Sequence, residues 1–400
     1  MASVPAAVYQ SGPVIRPKGF DLSFGFSARL AVFYAAIFVV VGIQLPFFPL
    51  WLTAKGLDAQ AVGVVLAVPM LVRLAAIPLA AGIADRADAL RATIVALAAL
   101  TAATYALVGW SEGFMMILIM FALGSAAFTP IMPLAEAYAL KGLDARGRIY
   151  GPVRLWGSAS FIVGTFAAGF AADWMAHRHL IWLVVGATVL NAVAANALEP
   201  VATAPHETYM PGRRFALWRD PIFVATLAAA GLIQASHAVY YGFSALQWRG
   251  EGYGGVTIAA LWSIGVVAEI LLFAAQARLP SPSILLIAGA AGAVIRWMAM
   301  AFDPPAAVLP ALQVLHALSF GATHLGALAL VAQRAPAGQG ASAQGQLSIV
   351  LGLTMAAAMG LSGVLYARYG GLSYLAMALA AAAGGACAAV VANRTRRDAV

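Results

Sequence analysis

Residues Pro133 to Ser158 read PLAEAYALKGLDARGRIYGPVRLWGS, the pattern of a helical hairpin at a membrane surface. An apolar helix carries Glu136 and leaves the bilayer at Lys141. A short basic loop with Arg146 and Arg148 follows, and a second apolar helix begins near Tyr150 and carries Arg154. At roughly 1.5 Å of rise per residue, Glu136 and Arg154 both sit some 6–8 Å inside the same boundary. A carboxylate and a guanidinium at matched depth on consecutive helices are expected to pair, because an unpaired charge near the bilayer centre costs on the order of 3 kcal/mol. Such a pair reads either as a lock between two helices or as part of a substrate or proton site.

Composition extends the membrane reading to the whole chain. Of 400 residues, 63% are hydrophobic and only 10% charged, against roughly 25% charged in soluble domains. The apolar residues fall in blocks of about 18–25, the length of a bilayer-crossing helix. Twelve spans are expected, over 28–53, 60–84, 91–110, 113–140, 150–172, 180–198, 220–244, 256–277, 282–302, 306–332, 343–366 and 371–392. The formal charge of +8 is scattered one to three residues per loop, which fits a charge bias across a membrane and excludes a nucleic-acid face. Placing the amino terminus inside puts sixteen basic residues, from Arg16 to Arg397, on the inner side; Lys55, Arg178, Arg249 and Arg368 fall outside. Both termini are therefore expected in the cytoplasm. A single cysteine, Cys387, excludes an intrachain disulfide framework and a cysteine metal cluster.

The division of the chain follows from its polar interruptions. Residues 1–27 lack an apolar core with a cleavage site and read as a cytoplasmic tail. The longest interruption, 199–219, holds three prolines and three arginines and reads as a cytoplasmic linker. It separates a six-helix half over 28–198 from a second over 220–392, leaving 393–400 as a cytoplasmic tail. Six plus six spans is the plan of parallel-repeat transporters.

The informative residues are ionisable groups inside spans: Arg73, Glu136, Arg154, His237, Glu269, Arg296, His316 and His324. Five formal charges facing lipid would cost very roughly 15 kcal/mol, so they must face a protein interior or a water-filled space. Structural pairing could explain two or even four of them, but it is a poor account of eight ionisable side chains spread over both halves. By helical rise Glu269 and His324 share a level, with Arg296, His316 and His237 higher. Histidine suits reversible protonation because its unperturbed pKa lies nearest physiological pH. Tyr241, with Tyr34, Gln44, Gln234 and Tyr240, is expected to line a cavity, while Trp248 reads as an interface anchor. The motifs of nucleotide-binding loops, zinc proteases and serine hydrolases are absent, so an enzyme is not expected.

Several stretches carry a resemblance. Tyr150 to Ser158 (YGPVRLWGS), Gln234 to Ser244 (QASHAVYYGFS), Leu261 to Ile270 (LWSIGVVAEI) and Leu45 to Trp51 (LPFFPLW) resemble signatures of the phenylpropionate permease family of the major facilitator superfamily. Arg296 with Trp297 and the region of His316 and His324 are similar as well, and the loop at Ala84 to Arg91 resembles a degenerate form of that superfamily's span two–three loop. The resemblance implies an all-α integral membrane protein of twelve transmembrane helices in two six-helix halves. The family is similar in plan to the lactose permease proton symporters, so Glu136 and Arg154 take the place of an acid–arginine pair that contacts substrate. Glu269, Arg296 and a span-ten histidine (His316 or His324) take the place of its proton-coupling cluster. Span ten carries no acid here, Glu136 stands where the phenylpropionate members commonly have Asp, and Pro152 where they often have a basic residue.

Together these readings give an expectation: a proton-coupled importer of a small, aromatic carboxylate, working by alternating access in a bacterial inner membrane as a monomer. Substrate contacts are expected from Glu136, Arg154, Arg73, His237 and Tyr241, and proton coupling from Glu269, Arg296, His316 and His324. No cofactor, metal or nucleic acid is expected; the proton gradient supplies the energy. The rivals are a sugar or nucleoside proton symporter and an efflux transporter of drug-like molecules.

Overall fold

The computed structural model describes residues 25–201, 217–336 and 339–398. Most of the expected tail 1–27 and of the linker 199–219 lies outside the described residues. The described chain is helical, and its twelve rods are numbered α1–α12 in chain order. They are α1 Phe26–Ala54, α2 Ala59–Arg86, α3 Leu90–Trp110, α4 Phe114–Asp144, α5 Tyr150–Trp174 and α6 Ile181–Asn196. The second half holds α7 Pro221–Gly250, α8 Gly255–Ala274, α9 Pro282–Met300, α10 Leu309–Arg334, α11 Gly340–Tyr369 and α12 Tyr374–Asp398. Eighteen or more apolar residues suffice to cross a bilayer, and backbone groups in lipid must bond within the segment. Long apolar helices are therefore what this sequence must form.

Helix ends are set by local chemistry. Asp58 caps α2 by accepting from the Ala61 N–H at 2.8 Å, and Asp220 caps α7 by accepting from the Ile222 N–H, with Pro221 at the first helical position. Gly370, at φ 54°, ends α11, and a short 3-10 turn over Gly370–Ser373 joins it to α12. α12 continues to Asp398, so most of the expected tail 393–400 is helical.

Three rods are interrupted. α4 breaks at Thr129–Pro130, between Phe114–Phe128 and Ile131–Asp144, where the proline removes a backbone donor. α7 breaks at Ser236–His237, and α10 carries a π-helical turn over Ala317–Ala322. Pro46 and Pro49 in α1 and Pro69 and Pro78 in α2 leave their helices continuous.

Packing repeats between the halves. In the first, α1 packs on α5 and α6, α3 on α4 and α6, and α2 on α4; in the second, α7 packs on α11 and α12, α9 on α10 and α12, and α8 on α10. Adding six to each helix number converts one set into the other. The main cross-half contacts, α2 on α11 and α5 on α8, exchange under the same operation, and the contact of α1 on α7 maps onto itself. The molecule is thus two six-helix halves that share one packing pattern.

The halves meet closely at the end remote from the termini. A Cβ added at Gly255 would lie 2.1 Å from the Gly169 carbonyl oxygen, and one at Gly63 would lie 2.8 Å from the Gly363 Cα. Asp173, at the end of α5, accepts from the Arg249 Nη1 (2.6 Å) and from the backbone N–H groups of Gly255 (2.7 Å) and Val256 (3.2 Å). A carboxylate at the positive end of α8 is favoured by the helix dipole. Lys55 also bonds Glu112 at this end, within the first half. Toward the other end, Arg73 of α2 donates to the Ser348 carbonyl of α11 at 3.2 Å.

Candidate functional site

The first half contributes Arg154, which is half-buried, and Glu136. Glu136 is exposed and, among the described residues, forms no ion pair with Arg154. The expected pairing is therefore corrected. The reason is packing: α5 makes its most extensive contact with α1 and touches α4 sparsely, so the two charges act on each other without forming an ion pair. The Arg154 guanidinium lies over the Phe38 ring of α1, 4.3 Å from its centroid, a cation–π contact that partly replaces lost hydration. Gly157 leaves that space open; a Cβ there would reach Phe38 at 2.8 Å and the Arg154 Nη1 at 3.0 Å. The Tyr34 and Tyr150 hydroxyls meet at 3.3 Å, and Tyr34 feels the charges of both Glu136 and Arg154. The charge of Arg154 also reaches Glu269 on α8, across the halves.

The second half contains a dense polar cluster. Arg296 of α9 is fully buried; its Nη1 donates to the His316 Nδ1 at 3.1 Å and its Nη2 to the Gln313 Oε1 at 2.6 Å. The guanidinium also lies 4.3 Å from the Tyr240 centroid and 4.6 Å from that of Trp297. On the other side of its ring, the His316 Nε2 faces the Glu269 Oε2 at 3.6 Å, an electrostatic contact slightly beyond hydrogen-bond reach. Depth counting pairs Glu269 with His324, whereas the structure brings His316 to it. The π-turn explains the change, since it underwinds α10 after His316. His324 instead stacks on Phe320, which stacks on His316.

Three expected substrate contacts sit differently from one another. Tyr241 is half-buried and stacked on His237, at 5.5 Å between centroids. His237 is fully buried behind it, its Nδ1 at 3.2 and 3.1 Å from the carbonyls of Ile233 and Gln234 and its Nε2 at 3.0 Å from the Ser319 Oγ. It does not face the interval between the halves. The break in α7 turns its ring inward, toward Trp297 and His316. Arg73 is half-buried at the α2–α11 contact and spends one nitrogen on Ser348.

Sequence reasoning missed Phe38, Gln313, Ser319 and Asp173. Gln313 is a polar residue three positions before His316, and that spacing is a usable signal. Phe38 carried none, being one apolar residue of an apolar helix. Trp248, expected as an interface anchor, is buried and packs edge-on against Tyr240.

Comparison with known proteins agrees with this architecture. A family model described as the MFS_1 like family matches residues 27–377. The chain is 32% identical over 319 residues to the probable 3-phenylpropionic acid transporter of Escherichia coli (strain K12), covering 76% of this chain and 82% of that protein. It is 30% identical over 301 residues to the maltose permease of Geobacillus stearothermophilus, covering 72% and 75%. Among solved structures, the nucleoside transporter NupG superposes with a TM-score of 0.81 at 15% identity, over 92% of this chain and 98% of that one. At that identity the likeness concerns the fold. Relatives and fold neighbours alike are transporters rather than enzymes, and the chain belongs to the MFS_1-like family of the major facilitator transporters.

Proposed function

We propose that this chain is a proton-coupled importer of a small aromatic carboxylate, with both termini cytoplasmic in a bacterial inner membrane. One observation carries the reading: the Arg154 guanidinium rests on Phe38 with no carboxylate partner, beside tyrosines 34 and 150. A guanidinium free of an internal carboxylate is ready to form a bidentate, charge-assisted pair with a substrate carboxylate. The neighbouring aromatic rings suit the apolar body of such a substrate. Glu136 is assigned to orient it, and Tyr241 and Arg73 to close the wall from α7 and α2. Glu269 with His316 and Arg296 forms the proton-coupling group, within reach of the charge on Arg154. Rocking of the units 28–198 and 220–392 about the remote seam would expose this site alternately, driven by the proton gradient without a cofactor. The name of the phenylpropionic acid transporter relative supports the substrate class.

A sugar substrate is the second reading, favoured by the exposed, unpaired Glu136, which suits a hydroxyl donor, and by the maltose permease relative. Proteoliposomes holding the purified protein, under an inward acid gradient, separate the two. Uptake of 3-phenylpropionate that collapses in Arg154→Gln and Glu269→Gln is expected. Uptake of maltose alone refutes the carboxylate, and wild-type transport by Arg154→Gln refutes the site.

A further inference from the structure

We propose that the buried pair His316 and His237 is held as neutral rings of opposite tautomer that position Glu269, the carboxyl of this cluster. This deepens the proton-coupled reading above and rests on it. The argument is one of donors and acceptors. A guanidinium can only donate, so the His316 Nδ1, 3.1 Å from the Arg296 Nη1, must be bare. The ring's single proton is then on Nε2, aimed at the Glu269 Oε2. Backbone carbonyls can only accept, so the His237 Nδ1 carries its proton toward Ile233 and Gln234, and its bare Nε2 accepts from the Ser319 hydroxyl. One ring is an Nε2–H tautomer and the other an Nδ1–H tautomer.

A second proton on either ring would meet a group that now donates to it. At His316 the new N–H would point at the Arg296 Nη1, setting two buried cations in contact, a costly arrangement. At His237 it would point at Ser319 and could be tolerated by turning the hydroxyl, but Arg296 and His316 face that ring as well. The groups around His316 are Arg296 from α9, Glu269 from α8, His237 with Tyr240 and Tyr241 from α7, and His324 beyond Phe320 on α10 itself. Arg154 acts on Glu269 from α5. Glu269 is the acid of this group, and its side chain retains 20% exposure. It can receive a proton to give the neutral acid while His316 keeps its own. That step removes a negative charge that attracts Arg154 across the halves, and release of the proton restores it. His316 is a positioning residue, a neutral bridge from Arg296 to Glu269.

The test is ¹⁵N NMR of the full chain, labelled at histidine, in lipid nanodiscs from pH 5.5 to 8.5. Signals are assigned by their loss in His316→Asn and His237→Asn. We expect one bare and one protonated nitrogen at each ring, on opposite atoms, across the whole range. An imidazolium at either ring, or the same tautomer at both, overturns the proposal. The parallel measurement is acid-driven accumulation of 3-phenylpropionate. His316→Ala should lower it more than tenfold, and His316→Asn, whose amide oxygen can accept from Arg296, should recover at least threefold of that loss. Equal loss in both overturns the bridging role. Absence of accumulation in the wild type, with the tautomers as expected, refutes the proton-coupled reading and not the histidine assignment.

Discussion

Substitution of Gly255 by alanine is a direct probe of the seam that joins the halves. The added Cβ would stand 2.1 Å from the Gly169 carbonyl oxygen, where ordinary contacts begin near 3.4 Å. The two helices must separate by roughly 1.3 Å along that line, and the atom opposed is backbone, which cannot swing aside. Overpacking of this kind costs about 1–3 kcal/mol in a tight interface. The cost falls on the conformer in which the seam is closed and is relieved when the halves rock apart. The closed-to-open ratio should therefore fall by about 5- to 150-fold. Spin labels at Ala176 and Glu251, on a Cys387→Ser background, report the separation by pulsed EPR. Growth of a longer-distance population in Gly255→Ala is expected. Gly186→Ala serves as the control, since no atom lies within 4 Å of its added Cβ. Identical distance distributions for Gly255→Ala and the control would refute the seam as a conformational contact.

Further outcomes follow from the same geometry. Asp173→Asn removes the charge that binds Arg249 and the amino end of α8; it should open the seam in the same EPR assay, by about 1–2 kcal/mol, with Arg249→Gln giving a smaller shift. Arg154→Lys keeps the charge but not the planar fork, so initial uptake rates should fall more than tenfold, chiefly through KM. Asp220→Ala loses the α7 cap and the Arg334 pair at 2.6 Å, and a melting assay should show a loss of about 1–2 kcal/mol. Burial pushes the Asp220 carboxyl up, but the Arg334 hydrogen bond and the Ile222 and Phe223 N–H groups outweigh it and hold it below the usual 3.8. A depressed carboxyl stabilises the fold above its ordinary value and loses that contribution as pH falls through the folded one. The gap between wild type and Asp220→Ala should thus be full at neutral pH and shrink below about pH 4.

The sequence was most legible where the bilayer leaves few choices. Hydropathy and helical length place all twelve rods, because a lipid-crossing backbone must bond to itself. The charges inside the spans were legible for the same reason: each must be accommodated, so Arg154, Glu136, Glu269 and Arg296 stand out by their residue type alone. What each one touches was not legible. Glu136 and Arg154 share a depth, but which helix lies beside α5 is a matter of bundle order, and it is α1 that supplies Phe38. Glu269 and His324 share a level by rise, but an irregular turn brings His316 to the carboxylate instead. Depth along a helix can be counted from residue numbers, whereas azimuth depends on every departure from 3.6 residues per turn.

The turn over Ala317–Ala322 carries that point further. In a regular helix, residues eight apart are offset by about 80° around the axis, so His316 and His324 would look at different neighbours. Here the π-turn between them changes that offset, and Phe320 within it stacks on both rings, at 5.2 and 6.1 Å. α10 behaves as two helices of different phase on a common axis, with a surplus residue absorbed where they join. Excising one residue from the turn would rephase His316 against Arg296 in a single step, a displacement that no point substitution could produce. The span is therefore tolerant in composition at its lipid face and intolerant in length at its centre.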